Sequence, residues 1–312
     1  MLTPMNSPKN DGVLLVAHGT INDLTELPAF LTQIRHGRTP SNEMVAEMSR
    51  RYEAIGGSPL LRITREQANA LADTIQMPVL IGMRFGIAPI SEALLGAAAL
   101  RLHRLVILPV APFSVELYVN ETALIYSRLK ANGHSLGFEL LHVPPWGAHA
   151  GLVHAQYEAI ASHFVDQIPP DTSIVLTAHS LPLRIIEGGD SYARQIETAA
   201  SELERALGRK TILAFQSQGN DGAGWLGPSL IETIDKLAAD GAKHATVVPI
   251  GFISEHVETL YDLDHEAKDH ARKLGLEISR VPTLNAGVGL VGVMANLVRE
   301  CIGRADRTQE AT

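Results

Sequence analysis

The sequence predicts an α/β protein made of two similar, doubly wound, Rossmann-like lobes, each with about four parallel strands flanked by helices. Three observations predict it. Short β-branched runs alternate with longer stretches of helical periodicity along all 312 residues. GVLLVAHGT, from Gly12, and SIVLTAHSL, from Ser173, each place Ala-His at the C-terminal end of an apolar strand. ILPVAPFSVELY (Ile107 to Tyr118) and VVPIGFISEHVETLY (Val247 to Tyr261) both read strand, Pro, apolar, Ser, acid, Leu-Tyr. A duplicated unit accounts for all three.

The elements follow in order. Val13 to Ala17 is an apolar first strand that feeds His18-Gly19-Thr20. Phe30 to Tyr52 is dense in arginine, with Arg35, Arg38, Arg50 and Arg51. Guanidinium forks recognise carboxylates, so the segment suits a polycarboxylate ligand or, equally, a solvated basic helix-loop-helix. Gly56-Gly57-Ser58-Pro59 is a turn whose Ser58 can donate to the same ligand. Val79 to Met83, Leu105 to Val110 and Glu139 to Val143 complete the first set of strands. Trp146 to Ile168 reads as an amphipathic helix ending before Pro169-Pro170-Asp171, which sets a first lobe at 1–168 and a second at 169–312. Ile174 to Ala178, leading into His179-Ser180, opens the second set, followed by Thr211 to Phe215, Thr246 to Ile250 and Glu277 to Val281. Gln218 to Pro228 is rich in glycine but lacks the dinucleotide and Walker spacings, so it reads as a loop around Trp225. Residues 286–304 form a last apolar helix, expected to cross back onto the first lobe.

Composition excludes several classes. With 46% hydrophobic and 19% charged residues the chain is globular, and a net charge of −8 without a basic stripe argues against nucleic acid. The single cysteine, Cys301, excludes an internal disulfide and an iron–sulfur cluster. MLTPMNSPKNDG has no apolar core of a secretory signal, and no run reaches the roughly 20 apolar residues of a spanning helix. A monomer in the cytoplasm is expected.

In open parallel sheets ligands bind beyond the carboxyl ends of the strands. That puts His18, the 111–118 segment, His179 and the 254–266 segment at rims facing one cleft. A rim histidine alone is ordinarily a hydrogen-bonded structural group. Paired across the cleft with Glu258, His179 suits Fe(II), Zn(II) or Co(II), and suits proton abstraction equally well. Glu258, Asp262 and Glu266, spaced i, i+4, i+8, stack on one helix face and repel unless a cation sits among them. They read either as a metal relay or as a solvated face. Asp264 faces elsewhere and is expected in solvent. Glu255 and His256 suit the helix start, where His256 can also orient Glu258. No nucleophile elbow points to a hydrolase.

Three separated motifs, TAHSLP (Thr177 to Pro182), the QSQGN…WLGP run (Gln216 to Pro228) and PIGFISEHVETLYDLD from Pro249, together resemble the ferrochelatases. The likeness covers nearly the whole chain. FLTQIRHGRTPSNEMVAEMSRRYEAIGG, from Phe30, is especially similar to the soluble bacterial enzymes acting on coproporphyrin III. The resemblance implies a class II chelatase-like fold and insertion of Fe(II) into a porphyrin in haem biosynthesis. Fe(II) is then a substrate, and no prosthetic group is needed. It implies that His179 and Glu258 face the iron and the pyrrole nitrogens. Asp262 and Glu266 would carry metal inward or hold a second divalent cation. Arg35, Arg51, Tyr52 and Ser58, within the porphyrin-contacting segment 30–60, and Tyr118 would contact the macrocycle and its propionates. His18 matches the residue on the porphyrin's other face, where the coproporphyrin enzymes commonly carry Tyr. IGGSPL stands where the family usually has IGGxSPL, one residue longer.

The expected reaction takes two protons off the porphyrin as Fe(II) goes in, with His179 expected to accept a pyrrole proton while Glu258 assists in proton removal and metal hand-over. A planar porphyrin hides those protons in its own plane, so the cleft must hold the ring distorted. Coproporphyrin III, with four propionates against the two of protoporphyrin IX, is the expected substrate because the 35–51 arginines favour carboxylates. The rival readings are a protoporphyrin IX ferrochelatase, then a sirohydrochlorin chelatase, where HGT after a first strand recurs, or a tetrapyrrole or iron carrier without turnover.

Overall fold

The computed structural model describes residues 10–219 and 224–310; the start of the polar N-terminus and residues 220–223, inside the glycine-rich run, lie outside the described residues. All eight strands form. The first lobe runs β1 (Asp11–Thr20), α1 (Leu27–Ile34), α2 (Asn42–Ala54), α3 (Leu60–Ile75), β2 (Val79–Gly86), α4 (Ile90–Ala99), β3 (Arg104–Pro109), α5 (Val115–Ala131) and β4 (Glu139–His142). After α6 (Ala150–His163) come β5 (Thr172–His179), α7 (Leu183–Glu187), α8 (Tyr192–Leu207), β6 (Ile212–Gln216), α9 (Leu230–Ala239) and β7 (His244–Val248). The chain ends with α10 (Val257–Leu260), a π-helical turn (Asp262–Ala267), α11 (Lys268–Lys273), β8 (Glu277–Arg280) and α12 (Val288–Glu310).

The two sheets are parallel and share one topology, β2-β1-β3-β4 and β6-β5-β7-β8. Sequence patterning explains where elements start and stop. Ser41 caps α2 by accepting from the Met44 amide, and Ser229 with Glu232 forms a capping box on α9. β7 stops at Val248, two residues short of the expected end, because Pro249 has no N–H to continue the ladder. The connecting helix is also shorter than its pattern suggests. Trp146 lies in the preceding turn, buried with its indole donating to the Pro109 carbonyl, and His149 caps α6.

Two helices bind the lobes together. α12 lays Leu290, Met294, Leu297 and Val298 against β1, β3 and α3 of the first lobe. α6 turns Leu152 into that same core and Val153 and Ile160 into the core beside β5. At the N-terminal ends of β1 and β3, buried Arg104 spends its whole fork on carboxylates. Its Nε and Nη2 donate to Asp11 at 2.9 and 2.5 Å, and its Nη1 to Asp306 of α12 at 2.6 Å. Among the described residues, no helix is long and apolar enough to cross a membrane.

Candidate active site

Each sheet reverses its winding between β1 and β3, or β5 and β7, and both reversals open onto one cleft of about 460 Å³. β1 delivers His18 to one wall. Gly19 follows it at φ +116°, where a Cβ would lie 2.0 Å from the Phe85 carbonyl oxygen. β5 delivers His179 to the other wall, and the segment after β7 brings in Glu258. Gly251 permits that approach, because a Cβ there would lie 2.7 Å from the Ala178 Cα.

His179 Nδ1 is within hydrogen-bond reach of the Ser180 carbonyl, which assigns that nitrogen as the N–H and leaves Nε2 facing Glu258 Oε1 at 3.6 Å. That gap is an ion-pair separation, too long for a hydrogen bond. The main chain of both residues is tethered. The Tyr192 hydroxyl donates to the His179 carbonyl at 2.9 Å, and Gln216 Nε2 donates to the Glu258 carbonyl at 2.9 Å. His256 caps α10, its Nδ1 accepting from the Thr259 amide at 3.3 Å.

Electrostatics make the pair charged. Burial alone would lower the His179 pKa, but the Glu258 carboxylate outweighs it and raises it above 6.5. Burial would raise Glu258, yet His179, then His256 and His18, hold it below its ordinary 4.5. The raised His179 contributes stability that is whole below pH 6.5 and lost as pH rises through its folded value. The lowered Glu258 contributes stability that is whole above pH 4.5 and lost as pH falls through its folded value. The pair therefore stabilises fully only between pH 4.5 and 6.5. Followed by NMR, the His179 ring is expected to titrate above 6.5 in the wild type and clearly lower in Glu258→Gln. An unchanged titration would mean that Glu258 is not the cause.

His18, Tyr52, Ser58 and Tyr118 line the same cleft. His18 Nδ1 lies 3.3 Å from the Tyr118 hydroxyl, and its ring meets Phe85 edge-on. The surrounding walls lower the His18 pKa to about 4; because the ring is open to the cleft, that lowering acts in full only once a ligand displaces the water. Arg35 sits at the C-terminal cap of α1, one residue past Ile34 of the wall, and among the described residues it has no carboxylate partner.

Arg51 is placed differently. It lies outside the cleft wall, with Nε on Glu47 and Nη1 on Asp262, both at 2.9 Å, and Nη2 4.0 Å from Glu266. The cation among the aligned carboxylates is thus the first lobe's own arginine. The single acidic face does not persist either. Glu266 N bonds the Tyr261 carbonyl five residues back, and the wider π turn carries Glu266 outward, 53% exposed, while Asp262 stays 8% exposed. Burial and the charge of Glu258 push Asp262 up to about 7, against the Ser217 hydroxyl and Arg51. Each of its oxygens nevertheless receives a donor, Arg51 on one and Ser217 at 2.5 Å on the other, so we assign it as ionised. Asp264, expected in solvent, pairs instead with Arg280 at 2.6 Å and Lys268 at 2.8 Å, because the π turn redirects it toward β8. Sequence patterning passed over Arg84, Tyr192 and Gln216, whose relation to the site is made by strand register and loop packing and carries no local signal.

The chain matches the Ferrochelatase family over residues 10–302. It belongs to the ferrochelatase family. It is 33% identical to the ferrochelatase of Thermus thermophilus over 92% of this chain and 98% of that one. It is 31% identical to the coproporphyrin III ferrochelatase of Oceanobacillus iheyensis over 93% and 96%. Among solved structures, SirB from Bacillus subtilis with Fe3+ superposes with a TM-score of 0.60 over 95% of this chain and 97% of that one. At 14% identity that likeness concerns the fold alone. This ferrochelatase is therefore a metal-chelating enzyme that inserts iron into a porphyrin, a step of haem synthesis, with Fe(II) as its substrate. Among the described residues no three His, Cys, Asp or Glu side chains converge as a ready-made metal cage.

Proposed function

We propose that the enzyme converts coproporphyrin III to its iron complex, working as a monomer in the cytoplasm. The porphyrin lies in the cleft between His18 on one wall and His179 with Glu258 on the other. The facing His179–Glu258 pair carries this reading, because it sets a carboxylate and an imidazole side by side at the rim of an otherwise largely apolar pocket. The balance is Fe(II) plus porphyrin giving the iron porphyrin and two protons. In the free enzyme His179 holds a proton and Glu258 does not. Glu258 is therefore the first vacant acceptor for a pyrrole proton, and His179 accepts the other only after releasing its own proton to solvent as the dication approaches.

Support for the four-propionate substrate comes from Ser58 on the wall, from Arg35 next in sequence to Ile34 of the wall and without an acidic partner among the described residues, and from a relative of that specificity at 31% identity. A second divalent cation at Asp262 and Glu266 forms no part of the proposal, since Arg51 supplies positive charge there. The test is an anaerobic assay of Fe(II) with coproporphyrin III, protoporphyrin IX or sirohydrochlorin, followed by absorbance. The highest kcat/KM is expected with coproporphyrin III. Preference for protoporphyrin IX would overturn the specificity, and binding of all three without metalation would make the protein a carrier.

A further inference from the structure

Arg84 leaves β2 on the wall of the cleft, and its side chain is only 15% exposed. Glu121 of α5 takes its Nε, while its guanidinium lies 4.7 Å over the Phe85 ring and 6.0 Å from the Tyr118 centroid. A guanidinium presents five N–H donors, four of them on the two Nη atoms. Among the described residues, no acceptor meets either Nη of Arg84.

The other buried arginines behave differently. Arg104, Arg280 and Arg51 each place Nε and both Nη atoms against carboxylates. In Arg104 and Arg280 the whole fork is hydrogen-bonded to carboxylates, and in Arg51 Nε and Nη1 are, with Nη2 4.0 Å from Glu266. Arg84 keeps its fork open on the cleft wall, beside Tyr118 of the same wall and the Phe85 ring behind it. Donors that face the cleft are met by solvent in the free enzyme, and a carboxylate can displace that water and fit the fork bidentately.

The geometry points to Arg84 as a carboxylate-binding residue of the cleft, its two Nη groups receiving one propionate and thereby favouring the more carboxylated porphyrin. The inference rests on the porphyrin reading of the cleft given above. It adds a specificity residue from β2 to those of the 30–60 segment.

The test is equilibrium binding by fluorescence, without iron, so that it does not depend on turnover. Coproporphyrin III and its tetramethyl ester are titrated into wild type, Arg84→Met and Arg84→Lys. Arg84→Met is expected to weaken coproporphyrin III by about ten-fold while changing the ester by less than about two-fold. Arg84→Lys, which keeps the charge beside Glu121 but not the fork, should fall between and guards against a variant that does not fold. Equal weakening of acid and ester would mean a structural role and overturn the proposal, as would no weakening of either. A wild type that binds neither porphyrin would sink the cleft reading itself, and this inference with it.

Discussion

Glu258→Gln and His179→Ala are each expected to lower kcat by about 10²- to 10⁴-fold, with KM for the porphyrin changing far less. Both side chains stand at the rim of the cleft, facing each other at 3.6 Å, while the apolar walls proposed to bind the macrocycle are built from other residues. Glu258→Gln keeps the shape and the main-chain tether to Gln216 but removes the proposed acceptor of the first proton. His179→Ala removes the proposed second acceptor and the largest charge that keeps Glu258 ionised, so that burial then raises the carboxyl pKa. The two act as a unit. The double variant should therefore cost little more than the worse single one. Steady-state rates with porphyrin and Fe(II) varied separately test this, and a full rate in both single variants would sink the assignment.

Arg104→Ala should destabilise the fold by about 3–5 kcal/mol, the cost of leaving a buried charge without its partner. Arg104 and Asp11 side chains are 4% and 6% exposed, and the same guanidinium holds Asp306 of α12 to the first sheet. Burial would lower the Arg104 pKa, but hydrogen bonding to Asp11, above all, and to Asp306 raises it, so the group stays charged throughout the working range. Urea unfolding of wild type and variant measures the loss. Replacing Asp11 as well, in Arg104→Met with Asp11→Leu, should recover much of it, since no charge is then stranded. The cluster lies at the opposite end of the strands from the cleft, so kcat of the folded protein is expected to stay unchanged. A loss below about 1 kcal/mol in Arg104→Ala would place Asp11 within reach of solvent.

The acidic stripe shows where legibility ended. Its spacing on an α-helix left a metal relay and a solvated face both open, because three carboxylates one turn apart repel unless a cation sits among them. The identity of that charge was out of reach, since Arg51 is more than two hundred residues away in the chain and arrives on α2 of the other lobe. The π turn that swings Glu266 outward was equally hidden, because helical spacing in a sequence presumes 3.6 residues per turn. Arg51 itself was expected on the macrocycle and is found in that clasp.

By itself the sequence determined the eight strands, the duplication, the delivery of His18 and His179 to strand ends, and the Glu258 segment that follows β7. These are local properties, set by β-branched runs, prolines and turn residues acting over a few positions. Only the tertiary structure decided which charges meet: that His179 and Glu258 face one another, that Arg51 sits among the carboxylates, and that Arg84 keeps an open fork. Such pairings depend on strand order and on the packing of α6 and α12 between the lobes. Contact across a fold is set by geometry summed over the whole chain, and no short stretch of residues records it.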